Sequence, residues 1–196
     1  MRVLIACEYS GAVRDAFIRA GHDAMSCDLQ PTEAPGPHYH GDVRDVLSDR
    51  WDMLIAHPTC TYMTNSGVRW LHTDASRWPK LFDGAAFFRL FDRAHHIPMR
   101  AVENPIPHKY ALQLIGRKYD QLIQPWMFGH GETKATCLWL HGLPRLQPTK
   151  IVDGREPRIH RLSPSADRWK ERSRTYSGIA EAMAEQWGRD LIALAA

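Results

Sequence analysis

Cysteine is scarce and scattered in this chain: Cys7, Cys27, Cys60 and Cys137 are the only four among 196 residues, and no two stand at CxxC spacing. That argues against a disulfide framework and a four-thiolate zinc site, so each thiol is judged alone. Long apolar runs are missing as well. None approaches the roughly 18 residues of a membrane span, and Met1-Arg2-Val3-Leu4-Ile5-Ala6 lacks the longer apolar stretch and cleavage site of a secretory leader. The expectation is a cytoplasmic protein with no membrane partner. Charge of one sign does not dominate: 25 Lys and Arg face 22 Asp and Glu, a net +3, too little to mark the whole chain as a nucleic-acid binder. Repeats and low-complexity tracts are absent, and the one linker-like stretch, Gln30 to Gly41 with Pro31, Pro35, Gly36 and Pro37, is too short to divide domains. The reading is one domain, residues 1–196.

What is present is an alternation of short apolar runs and helical patterns. Val3 to Ala6 reads as a buried strand. Gly11 to Ala20, with Val13, Phe17 and Ala20 at helical spacing, reads as a helix stopped at Gly21, and Ala24 to Cys27 as a second strand. A third strand is placed before Gly41, and Met53 to Ala56 reads as a fourth. Leu81 to Ala94 is an amphipathic helix with Phe82, Ala85, Phe88 and Phe91 in register and Pro79 before it, and Met99 to Val102 is the next strand. Thr136 to Leu140 reads as a strand, Leu143 to Ser165 as loop, and Ile179 to Leu194 as a closing helix with Ile179, Met183, Trp187 and Leu191 four apart. This predicts an α/β fold with an open, mostly parallel Rossmann-like sheet and helices on both faces, where ligands bind beyond the carboxyl ends of the strands.

Chemistry-bearing residues fall at those strand ends. Cys7-Glu8-Tyr9-Ser10-Gly11 follows the first strand and Asp28 the second, the places where a nucleotide's backbone contacts and ribose-binding acid belong; a plain turn with an exposed Asp28 is the alternative. Asp42 in Gly41-Asp42-Val43 either meets an adenine edge or caps a turn. The fourth strand runs into His57-Pro58-Thr59-Cys60, and the fifth into Glu103-Asn104-Pro105. A thiol and a carboxylate on successive strand ends suit covalent catalysis with an acid partner, against the plainer readings of an inert thiol and a turn-forming carboxylate. Residues 145–174 hold nine Lys and Arg against four acids, either a solvated face or an edge for phosphates. Eleven histidines show no second pair at zinc-ligand spacing, so no metal site is expected. Zinc-deaminase and Gly-x-Ser-x-Gly patterns are absent. Trp70, Trp78, Trp126 and Trp169 stand in polar surroundings and read mostly as half-buried packing.

In this order the series resembles the DNA cytosine-5 methyltransferases, as a short, phage-type relative. Their first motif and helix look like Cys7 to Gly21, their ribose acid like Asp28, and their adenine-contacting acid like Asp42. The Pro-Cys nucleophile motif looks like Asp52 through Cys60, and the Glu-Asn-Val motif like Glu103-Asn104-Pro105. Phe128-Gly129 through Lys134 resembles the later Gln-x-Arg-x-Arg segment, whose Gln, Arg and Arg fall on Glu132, Lys134 and Thr136; Arg174 to Gly188 resembles the last motif. The first motif has lost most of its glycines, Thr59 stands where a proline precedes the cysteine, and Thr61 replaces a glutamine. Only about a dozen residues, near Lys150 to Arg158, occupy the place of the family's target-recognition region.

The resemblance implies an S-adenosylmethionine-dependent methyltransferase sheet, with a basic, loop-rich segment at about residues 143–175. S-adenosylmethionine would be held by Glu8, Tyr9, Ser10, Gly11, Asp28, Asp42 and Pro58 and leave as S-adenosylhomocysteine. Cys60 would add to C6 of cytosine, Glu103 would hydrogen-bond or protonate N3, and Lys134 would take the cationic contact to the base. Asn65, Ser66, Asn104, Arg158 and Arg161 would meet the substrate. The acceptor is DNA with its base flipped out or single-stranded, or a free pyrimidine deoxynucleotide, with room for a separate recognition subunit or a homo-oligomer. A catalytically inactive nucleic-acid-binding relative is the competing reading from another class.

Overall fold

The computed structural model of the chain describes residues 1–194, with side chains through Arg189. The elements run β1 (Arg2–Ala6), α1 (Ala12–Arg19), β2 (Asp23–Asp28), β3 (His38–His40), β4 (Met53–Ala56), α2 (Trp70–Thr73), α3 (Arg77–Asp92), β5 (Met99–Pro105), α4 (Lys109–Ile115), β6 (Gln121–Ile123), β7 (Thr136–His141), α5 (Arg158–Arg161), α6 (Arg168–Ser173) and α7 (Ser177–Leu194). The sheet has seven strands in the order β3-β2-β1-β4-β5-β7-β6. The pairings from β3 through β5 are parallel, whereas β7 runs antiparallel to both β5 and β6. The mostly parallel α/β sheet expected from the sequence is therefore the one formed. Its order reverses between β1 and β4, where the carboxyl ends of neighbouring parallel strands open a crevice.

The strands are buried on both faces, which is why they read as unbroken apolar runs. Val3, Ile5, Met53, Ile55 and Ala101 pack against Val13 and Phe17 of α1 and Ile179, Met183 and Trp187 of α7. Leu4, Ala6, Leu54, Ala56 and Val102 face Leu81, Ala85, Phe88 and Phe91 of α3 and Ala111 and Ile115 of α4. Helices thus cover both faces, as predicted. The side chain of Leu191, expected in the α7 stripe, lies outside the described residues.

Several expectations are corrected. Phe82 is half exposed, at 50%. Steps of three residues drift by about 60° each on a helix, so Phe82 and Phe91 lie on opposite sides, and Leu81 takes the core position instead. Pro79 stands inside the first turn of α3, where its missing N–H costs nothing, rather than before it. Within the linker-like stretch His38–His40 forms edge strand β3, and the expected loop of residues 143–165 contains the single turn α5. The basic stretch after it contains α6. Trp70 and Trp169, expected to be half-buried, are so, at 47% and 48% exposure.

Sequence reading assigns no role to Arg14, which is fully buried on α1. Its guanidinium donates to Asp15 Oδ1 at 2.8 Å, to the hydroxyls of Ser26 and Thr32 at 3.2 Å each, and to the carbonyls of Ala34 and Pro35 at 3.0 and 3.2 Å. These five bonds use every N–H of the group, and they bolt the proline-rich stretch to the first β-α-β unit. Gly11 is required beside it: φ is 76°, and a Cβ there would lie 2.5 Å from Arg14 Nη2. Gly178 is required at the start of α7, because a Cβ would strike the carbonyl oxygen of Phe128.

Removing a buried, fully bonded charge strands its partners, so Arg14→Leu is expected to lower the free energy of unfolding by about 3 kcal/mol or more. Arg19→Leu on the same helix, which removes an exposed pair with Glu181 at 4.0 Å, should cost under about 1 kcal/mol. Urea unfolding of the two variants checks both; equal midpoints would contradict the role given to Arg14.

Candidate active site at the carboxyl edge of the sheet

The turn after β1 is strained and self-sufficient. Cys7 has φ 60°, the left-handed region that a side chain disfavours. Glu8, buried at 4% exposure, turns its carboxylate back onto α1, accepting from the amides of Val13 at 2.7 Å and Arg14 at 3.2 Å. Ser10 Oγ donates to the same carboxylate at 3.4 Å and accepts from the amide of Ala12 at 3.3 Å. The positive end of α1 is thus already filled by an acid of the chain itself. Burial holds Glu8 above the usual carboxylate range, against the opposing pull of His57 and the two amides.

Tyr9, expected to meet a cofactor, is buried and spends its hydroxyl on the carbonyl of Lys170 at 2.9 Å and on Ser173 Oγ at 3.0 Å. It holds α6 over the β1 turn. Arg174, just after α6, grips Glu33 with two bonds of 2.8 Å from Nη2 and also pairs with Glu171. Arg158 is paired with Glu132 at 3.0 Å, and Lys170 with Asp167 at 3.5 Å. The basic segment is therefore partly neutralised and folded onto the body rather than free along its length. Arg161 makes no ion pair among the described residues.

At the end of β2, half-buried Asp28 accepts from the amide of Gln30 at 2.8 Å, and burial raises its pKa above the usual range. Asp42 caps its turn: it accepts from the amide of Arg44 at 2.9 Å and pairs with the Arg44 guanidinium at 2.7 Å.

The ends of β4 and β5 are joined by a set of cross-bonds. Their register sets Ala56 opposite Val102, so the next residues, His57 and Glu103, come abreast; His57 Nδ1 lies 2.8 Å from Glu103 Oε2, with side chains 12% and 13% exposed. One step on, Asn104 Nδ2 donates to the carbonyl of Pro58 at 3.1 Å. Beyond that, the amide of Asn65 donates to the carbonyl of Ile106 at 2.9 Å. Buried His108 reaches the carbonyl of Tyr62 through Nε2 at 2.9 Å, while its amide donates to Met63 at the same distance. Ser66 Oγ stays with Thr64 Oγ1 at 3.1 Å. Cys60 starts this loop, its carbonyl accepting from the amides of Met63 and Thr64 at 2.9 and 3.2 Å.

Electrostatics tie these groups into one site. Burial and the charge of Glu103 raise the Cys60 pKa, with Arg172 and Lys134 pulling the other way. Lys134, whose Nζ donates to the carbonyl of Arg174 at 2.9 Å, is held below the usual ammonium range by burial, partly offset by Glu103 and Cys60. Burial works against ionising Glu103 and against charging His57, yet their mutual hydrogen bond and attraction lower the first pKa and raise the second. Buried His57 Nε2 and Asn104 Oδ1 have no partner among the described residues. Cys60, Glu103 and Lys134, picked out from sequence, thus act on one another electrostatically, and His57 links Glu103 to Glu8, while Asn104, one residue on, is bonded to Pro58. Sequence reading missed His57, His108 and Arg172. For His57 the signal was its place directly after a buried strand, level with Glu103 on the next.

Among the described residues no group of three His, Cys, Asp or Glu side chains is placed to hold a metal ion, and no helix is long and apolar enough to cross a membrane. No family model and no curated protein matches the sequence. Among solved structures, the fold is similar to that of an E. coli protein described as a DNA modification methyltransferase encoded within a prophage: TM-score 0.50, 15% identity, 78% of this chain and 52% of the other. The Entamoeba histolytica methyltransferase EhMeth gives TM-score 0.46 and 12% identity over 78% of this chain and 57% of the other. The chain thus spans little more than half the length of these structures. The likeness establishes the fold.

Because Glu103 helps raise the Cys60 pKa, alkylation of Cys60 by iodoacetamide should keep accelerating above about pH 8.5, the ordinary thiol value, and Glu103→Gln should speed it at any fixed pH. Peptide mass spectrometry of the Cys60 peptide reads the rate; a slower Glu103→Gln variant would separate the two groups.

Proposed function

We propose that this chain transfers a methyl group from S-adenosylmethionine to C5 of cytosine in DNA, through a temporary bond between Cys60 and C6 of the ring. The observation that carries the reading is the meeting of Cys60, Glu103 and Lys134 at the carboxyl edge of a sheet whose fold is similar to that of a DNA modification methyltransferase.

The residues fit the cofactor. A dinucleotide would need the N-terminus of α1 for its phosphates, but Glu8 occupies it. A nucleoside bearing a positive sulfonium and no phosphate suits an edge lined by Glu8 and half-buried Asp28, with Asp28 free to accept from ribose hydroxyls through the oxygen not bonded to Gln30. When bound, S-adenosylmethionine supplies the electrophilic methyl group. The chain's own residues do the rest. Cys60 Sγ adds to C6 as it loses its proton, the C5–C6 π pair moves to C5, and N3 is protonated through Glu103, so the ring does not build up negative charge. Lys134 faces the base as a cation. After C5 has gained the methyl group, a water molecule takes its proton, that electron pair reforms the C5–C6 double bond, and Sγ leaves as thiolate.

A free deoxynucleotide is the second reading, favoured by one observation. The short segment in place of a recognition region is tied back by bridges from Phe128 to Lys150 and from Glu132 to Glu156, and residues 142–157 form no helix or named strand of the kind that enters a groove.

Cys60→Ser is expected to abolish transfer of labelled methyl groups while keeping cofactor affinity. Asp28→Ala should weaken S-adenosylmethionine binding by about tenfold, the loss of a hydrogen bond to a charged group. Calorimetry and transfer assays with single-stranded DNA, duplex DNA and dCMP check both. Transfer by the Cys60→Ser variant at the wild-type rate would overturn the covalent route, and absence of cofactor binding the whole reading.

A further inference from the structure

Resting on that reading, the pair formed by His57 and Glu103 has a further consequence for how the ring is protonated. His57 ends β4 with its amide donating to the carbonyl of Ala6 at 2.9 Å, so its backbone is wedged between β1 and β5. Its Nδ1 is 2.8 Å from Glu103 Oε2, and both side chains are close to nine-tenths buried. Its other nitrogen, Nε2, is buried and unpartnered among the described residues. A histidine that only packed or capped would be expected to satisfy both nitrogens or expose one to water. Here one nitrogen aims the carboxylate, and the other is left for something the chain does not supply.

Chemistry at Glu103 needs such a partner. Addition to C6 releases a proton from Cys60 Sγ and requires one at N3, and a carboxylate kept ionised cannot donate by itself. We propose that His57 is the positioning and proton-supplying partner of Glu103, orienting the carboxyl group through the 2.8 Å bond and handing it the proton that passes on to N3 of the pyrimidine. The step balances. The His57 Nδ1–H bond breaks as the Glu103 O–H bond forms, and the carboxyl group then gives a proton to N3. The proton lost by Cys60 Sγ goes to solvent, which returns one when Sγ leaves, and the imidazolium is reformed as N3 gives its own proton back through Glu103 to Nδ1. When Sγ leaves, the sequence at N3 runs in reverse. The charged groups that set the pair's protonation are Glu8 from the β1 turn, Glu103 itself and Lys134 from the connection before β7, with Asp28 at the end of β2 feeling the charge of His57.

The experiment is the pH profile of kcat and KM for transfer of labelled methyl groups to a cytosine-containing single-stranded oligonucleotide or to dCMP, by wild type, His57→Gln and His57→Asn, with S-adenosylhomocysteine affinity as the folding control. A Gln side chain can still donate a hydrogen bond to Glu103 but has no proton that titrates near neutral pH and could be handed on. Wild-type kcat should fall on the alkaline side as the pair loses its proton. Both variants should lose about tenfold or more in kcat, within the range of general acid catalysis, with KM little changed and the alkaline limb displaced. Wild-type kcat with an unchanged limb in a folded variant would overturn the role of His57 while leaving the methyl-transfer reading in place. Wild type that binds the cofactor but methylates neither acceptor would overturn that reading and this proposal with it. If neither variant folds, 15N-NMR titration of the wild-type imidazole decides. A His57 titration that matches Glu103→Gln would overturn the pairing, and one lowered in Glu103→Gln supports it.

Discussion

Everything at the carboxyl edge follows from the register of β4 against β5. With Ala56 opposite Val102, strand continuation brings His57 level with Glu103 and Pro58 level with Asn104, and both pairs are bonded. The faces follow too: Ile55 and Ala101 point to the α1 and α7 side, so His57 and Glu103, two residues on, emerge on that side, where Glu8 waits at the end of β1. A slip of one residue would turn Glu103 into the packing of α3 and separate the pair. The register is itself fixed by burial, because Leu54, Ala56 and Val102 belong to one core and Met53, Ile55 and Ala101 to the other. The geometry of this edge is therefore a by-product of hydrophobic alternation, extended past the last apolar residue by loops that bond to each other.

A second layer holds the roof. The proline-rich stretch is pinned to the core by Arg14, which fixes Glu33 in place. Glu33 in turn receives Arg174, and Tyr9 receives the last turn of α6. The carbonyl of Arg174 accepts from Lys134 Nζ, and Arg172 sends its charge to Cys60. One buried guanidinium thus supports, through a loop and an ion pair, the segment that roofs the thiol. The roof's outer contacts are ionic and partly exposed, while its inner support is buried, so salt screens the first far more than the second.

The buried parallel strands are legible in the sequence because each is a short apolar run bounded by turn residues, and α1 and α7 because their apolar spacing fits a helix. The strand-end logic places Cys60, Glu103, Asn104 and Asp28 at one edge. What stays hidden depends on contacts between distant segments. β6 has three residues and α4 seven, too few to show a period, and α4 is set by its ends, with His108 as cap and Gly116 in the left-handed region. Arg14 looks like any helical arginine until the proline-rich stretch folds over it. Glu8 and Tyr9 stand in the turn where ligand contacts are expected, and only the fold reveals the bonds that tie their polar groups to the protein itself. The charge count over residues 145–174 cannot reveal that Arg158, Lys170 and Arg174 face acids of their own chain.

The direction of β7 decides which end of the sheet the residues before it can serve. In a parallel strand the incoming connection arrives at the amino edge; β7 runs the other way, so its first residue, Thr136, lies beside Pro105 at the carboxyl edge, and Lys134 arrives with it. Over six residues a strand extends about 20 Å, and that is how far the ammonium group would be carried from the thiol if this one strand were reversed. A choice of strand orientation, made by backbone pairing at the far side of the sheet, is what turns an ordinary hairpin connection into a wall of the site.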